Sequence, residues 1–187
     1  FFFKQKTAYE ITTGLEFRRV LFRSNSEGLG PLWAFHLHQF DYLRAPSLSS
    51  AARRRLIDDW IEHCVDGPGW DPHPISLRIV SWGKLLLTPG ALEQSDEHAT
   101  RMRASMAHQL ETLSRGLEIR LQGNHLFSNL LGVVFAGLLF EGSRADAWLA
   151  LESDLRREIA IQIQPEGTQN EGSPRYHRPE EHTTELQ

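Results

Sequence analysis

The chain predicts an all-α protein, and three observations carry that prediction. Apolar residues recur at spacings of three and four over long stretches, and no stretch shows the period-two alternation of a half-buried strand. The long stretches are joined by short segments rich in Gly, Pro and Ser. Long helices on short connections imply antiparallel helical hairpins.

The elements follow in order. Segment 25–48, with its Gly, Pro and aromatic residues, reads as an irregular lead-in with one short turn of helix. Ser49 or Ser50 can cap a helix through Leu56, Ile57, Trp60, Ile61 and Val65. GPGWDPHP at 67–74 is a loop by composition. Pro74 suits the first turn of the next helix, which carries Ile75, Leu77, Ile79, Val80, Trp82, Leu85 and Leu86. TPGALEQSD interrupts, and Ser95 or Asp96 then caps a long run through Met102, Met106, Leu110, Leu113 and Leu117. Gly123 ends that run and sets up an oily helix from 124 to about 141. After GSRAD a last helix runs through Trp148, Leu149, Leu151, Leu155, Ile159 and Ile163 to Pro165.

The two ends read differently. Residues 1–24, with KQKTAYEI and LEFRRVLFRS, resemble a translated sequencing adapter, and RPEEHTTELQ at 178–187 resembles its complement. Lys4, Lys6, Glu10, Glu16 and Arg18 break up any signal-peptide core at the front. The domain is therefore expected over 25–177, which keeps 14 of the 20 Lys/Arg and 19 of the 24 Asp/Glu. Lys84 is the only lysine of that part. This balance argues against nucleic acid or an anionic membrane as partner, since both need clustered positive charge. It leaves room for an anionic small ligand met by a few focused groups. Cys64 is alone, so no internal disulfide forms. The apolar part of 126–140 is shorter than the roughly 20 residues a membrane span needs.

Four polar clusters stand out. His36 and His38 alternate with apolar residues in WAFHLHQFDYL, a spacing that would suit two ligands on one strand face, but no further ligand lies close in sequence. No metal site is expected, and no cofactor. Trp70, Asp71 and His73 share a loop that leads to Arg78, and a capped turn with an aromatic wedge explains them locally. The segment QPEGTQNEGSPRYH packs Glu166, Glu171, Arg175, Tyr176 and His177 into a loop directly after a core helix. Asn124, His125 and Asn129 sit at the leading end of the oily helix, where backbone N–H groups and the helix dipole favour a carboxylate. Burying those groups without partners costs on the order of 1–3 kcal/mol each. Either they are satisfied inside the core or they line a wet site, and spacing alone leaves both readings open.

In register along the chain, LWAFHLHQFDYL, GWDPHPISLRIVSW, LQGNHLFSNLLGVVFAGLLF and EGTQNEGSPRYH resemble the N-terminal part of heparinase II/III-type polysaccharide lyases. The resemblance runs from about Leu32 to His177. It implies an incomplete (α/α) toroid, completed by a further toroid half and a β-sandwich domain of the same chain. It also implies β-elimination on an acidic, uronic-acid-containing polysaccharide, in the periplasm or outside the cell. Carried onto this sequence, it makes Asn124, His125 and Tyr176 catalytic, and Trp70, His73, Arg78, Asn129 and Glu171 substrate-binding or supporting. Asn124 and His125 hold the uronate carboxylate, and Tyr176 shuttles the proton. A second catalytic histidine is implied in the missing half, so the chain is expected to be inactive alone. Two departures bear on substrate contacts: Glu166 stands before Gly167 where the family usually has Asp, and Gly172 stands where Arg is frequent. A toroid that only binds acidic glycan, lacking that second histidine, is the alternative. A helical-repeat scaffold is a third reading, and the polar start of the 124–141 helix speaks against it.

Overall fold

The computed structural model describes residues 31–92, 95–121, 123–165 and 167. Both adapter-like ends, 1–24 and 178–187, lie outside them. The described residues are helical, with no strand element among them. Helices α1 (Pro31–Gln39), α2 (Ser50–His63), α3 (Pro72–Leu87), α4 (Asp96–Arg115), α5 (Gly123–Gly137), α6 (Ser143–Leu149) and α7 (Glu152–Gln162) follow one another, with short 3-10 turns at Asp41–Arg44 and Pro68–Trp70. Among the described residues no helix is long and apolar enough to cross a membrane.

The lead-in is a correction. Residues 31–39 form a true helix because Ala34, Leu37 and His38 fall at helical spacing and are buried, and α1 packs on α3. His36 and His38 are then on a helix rather than a strand, so two residues apart they diverge. His36 Nδ1 lies 3.2 Å from Gln39 Oε1, while His38 Nδ1 accepts from Trp60 Nε1 at 3.0 Å.

The predicted caps form. Ser49 Oγ accepts from the Ala52 N–H, and Ser95 Oγ from that of His98, both at 3.2 Å. Each meets one of the donors left orphaned at a helix start. Helix α3 begins two residues earlier than Pro74, with Asp71 at its N-cap. Its buried stripe of Ile75, Ile79 and Trp82 meets the fully buried Met102, Met106, Leu110 and Leu113 of α4 in one core. Phe40, Trp60 and Trp82 pack edge to face at its centre, with centroids 5.4–6.3 Å apart.

The closest crossing is α3 on α5. A Cβ on Gly132 would stand 2.9 Å from the Cα and carbonyl oxygen of Ser76, and backbone atoms cannot give way as a side chain can. This contact fixes α5, and with it the polar leading end, against the start of α3. Helix α5 stops at Gly137 rather than near 141. Leu139 then turns in against Gly83, and Phe140 packs edge-on to Trp148. The last predicted helix is two, α6 and α7, broken at Ala150 and Leu151. Leu149 closes on Gly137, and Leu155 joins Leu126, Leu130 and Val134, so the chain returns along α5.

Candidate functional site

The site grows from the link between α4 and α5. Helix α4 ends at Arg115, a link of seven residues (116–122) follows, and Gly123 at φ +61 bends the chain into α5. Within that link lies Glu118. Its backbone N–H donates to Asn129 Oδ1 at 2.9 Å, and Asn129 Nδ2 donates back to Glu118 Oε2 at 3.1 Å. This reciprocal pair pins the link to the second turn of α5. Asn129 is fully buried and its amide is engaged by Glu118, which places it among the satisfied core groups rather than on a sugar.

The other carboxylate oxygen meets His125. Glu118 Oε1 and His125 Nδ1 are 3.1 Å apart, with the imidazole about one-third exposed and the carboxylate 15% exposed. An ionised carboxylate only accepts, so the hydrogen sits on Nδ1 and Nε2 is left for a ligand. His73, from the first turn of α3, stacks on His125 with centroids 4.3 Å apart and planes 26° from parallel. Among the described residues the buried Nδ1 of His73 has no hydrogen-bond partner. His73, Glu118 and His125 together can offer ligand atoms within 4.8 Å of one another. Asn124 precedes His125 on the same turn and is half-buried.

Burial, and secondarily the neighbouring His125, pushes the His73 imidazole down to about 4. Burial likewise lowers His38 to about 4, with the Arg78 charge adding to it. The exposed Asp71 carboxyl is raised by desolvation and then by Glu118. The two histidines give a pH dependence whose sign is fixed. Below the unfolded pKa of about 6.5 the unfolded chain takes up protons that the folded chain refuses until about pH 4. Their stabilising contribution is complete above pH 6.5 and is lost as pH falls towards 4, by about 2–3 kcal/mol per histidine. Urea unfolding at pH 7 and pH 5 measures it. We expect lower stability at pH 5, with a smaller drop in His73→Gln, and equal stability at both values contradicts the burial argument.

The remaining residues singled out in the sequence separate. Arg78 is a core group: it is fully buried, and its nitrogens donate to Gln109 Oε1 at 2.8 Å, the His38 carbonyl at 2.7 Å and the Gly69 carbonyl at 2.9 Å. Its guanidinium lies 3.9 Å over Trp60. Three of its five N–H donors are engaged in this way inside the core, which fits the supporting rather than the substrate-binding half of its expected role. Trp70 is half-buried, donates to the Cys64 carbonyl at 2.8 Å, and packs tilted against Trp60 and edge-on to His108. Glu171 and Tyr176 lie outside the described residues. Glu118 was missed. Its signal was a lone carboxylate in the short link just before the polar helix start, seven residues from His125, a separation that no helix-face rule couples.

No curated protein and no solved structure matches the chain. Residues 95–182 match the family model described as heparinase II/III N-terminus. The match starts at the cap of α4 and takes in Glu118, Asn124, His125 and Asn129, together with Glu171 and Tyr176. Residues 95–182 are a heparinase II/III-type N-terminal region.

Proposed function

We propose that this chain supplies the N-terminal, (α/α)-toroid part of a polysaccharide lyase that cleaves uronic-acid-containing polysaccharide by β-elimination. The family match over 95–182 carries the reading, because it spans the Asn124–His125 helix start and Tyr176 together. Elimination removes the C5 proton of the uronate, breaks the bond from C4 to the glycosidic oxygen, and leaves a C4–C5 double bond. The C5 proton is acidic only when the adjacent carboxylate is neutralised. Asn124 and His125 serve that purpose at the start of α5, where fixed dipoles meet the charge as it develops. Glu118 holds the His125 ring in place beside Asn124, and Tyr176 protonates the leaving oxygen and, for one C5 epimer, also takes the C5 proton. A further histidine from a C-terminal continuation completes the site, so the chain is inactive alone.

The direct test is the full-length open reading frame assayed on a panel of uronate polysaccharides. Release of products absorbing as 4,5-unsaturated uronates is expected on at least one of them. Saturated reducing ends as the sole product make it a hydrolase, and binding without any cleavage makes it a glycan-binding module.

A further inference from the structure

We propose that His73, Glu118 and His125 form a binding site for one divalent transition-metal ion, of which zinc is the natural occupant. The three residues come from the first turn of α3, the α4–α5 link and the first turn of α5, so the fold rather than local spacing assembles them. Their donor atoms lie within 4.8 Å of one another.

The geometry favours an ion in two ways. Two ligands bound at ~2.1 Å to a tetrahedral ion stand roughly 3.0–3.5 Å apart. Glu118 Oε1 and His125 Nδ1 are separated by 3.1 Å, so the edge that now holds a hydrogen has the length of a ligand edge. On binding, the hydrogen moves to His125 Nε2. The second point is His73. A buried imidazole nitrogen without a partner is costly to a fold, and His73 Nδ1 is such an atom beside the cluster, so a ligand there would remove that deficit.

The donor set selects the class of ion. Two imidazoles and one carboxylate suit zinc and its first-row neighbours, whereas calcium and magnesium require more oxygen ligands. Asn129, bonded to the second oxygen of Glu118 and to the Glu118 backbone, is the outer partner that orients a ligating carboxylate. Three protein ligands leave a position open, as at zinc sites that take water or substrate.

The site shares Glu118 and His125 with the lyase reading but does not rest on it, since metal binding and elimination are measured separately. The test is calorimetric titration of the purified 187-residue chain with zinc chloride at pH 7, repeated on Glu118→Gln and His73→Asn. His63→Asn is the control, a histidine outside the cluster that lies beside Asp59 and Glu62. We expect one saturable zinc per chain, weakened at least ~10-fold by either cluster variant and unchanged in the control. Calcium should not bind, and cobalt should give ligand-field bands that the cluster variants lose. Absence of saturable zinc binding overturns the proposal, as does binding that both cluster variants retain. Where circular dichroism shows that a variant fails to fold, carbethoxylation of His125 in the parent chain decides instead. Zinc should protect that ring, and equal modification with and without zinc also overturns the site.

Discussion

Arg78→Ala is expected to destabilise the chain by about 4 kcal/mol or more, a large share of the roughly 5–15 kcal/mol that a domain of this size possesses. The reason lies in what the guanidinium leaves behind. The Gln109 side chain and the carbonyls of His38 and Gly69 would lose their donors in a site with no exposure. Each orphaned acceptor costs about 1–3 kcal/mol, and a cavity over Trp60 adds to the total. Among the described residues no carboxylate pairs with this cation, so its place rests on oriented neutral acceptors and an aromatic face. Arg78→Lys keeps the charge but not the planar fork, and should recover only part of the loss. Urea unfolding followed by circular dichroism reads both variants. A fall of less than about 1 kcal/mol for Arg78→Ala would mean that the network is dispensable and would return Arg78 to the substrate contacts.

Tyr176→Phe should lower elimination by the full-length protein about 10²–10⁴-fold, the range for loss of a proton-transfer group, with the fold intact. Asn124→Ala should lower kcat about 10²–10³-fold and move KM far less. A clamp acting on charge that develops in the transition state changes turnover, whereas one that only holds the ground-state carboxylate changes KM. Steady-state rates of unsaturated uronate formation separate the two. A Tyr176→Phe enzyme working at the parent rate removes Tyr176 from the chemistry.

The helices were legible wherever a single face repeats. The 102–106–110–113 stripe of α4 and the 75–79–82 stripe of α3 are each buried along their length. So were the Ser49 and Ser95 caps, since a side-chain acceptor before an apolar period is a local signal. Breaks that depend on a partner helix were not. Leu149 and Leu151 cannot share one face of a continuous helix, and the turn between them lets both reach the packing around α5. Helix α1 was hidden because its aromatic and histidine residues obscure the period, and its packing on α3 settles its state.

The site was legible only in part. Asn124 and His125 announce themselves as polar residues heading an oily helix, but Asn129, of the same chemistry, proves to be a core group facing Glu118. Arg78 illustrates the same ambiguity, because one residue type serves a buried strut and a substrate clamp equally well. The meeting of His73 with His125 and Glu118 depends on the α3–α5 crossing at Gly132 and Ser76, a tertiary fact with no local trace.

The central claim is that a uronate carboxylate is what this site recognises and neutralises. The most direct measurement is the initial rate of the full-length protein on a polysaccharide it cleaves, set beside the same polymer with its carboxyl groups reduced to primary alcohols. Chain length and linkage are retained, and only the charge and the acidity of the C5 proton are lost. The account predicts steady release of unsaturated product from the native polymer and none from the reduced one. Cleavage of both polymers at similar rates would contradict it.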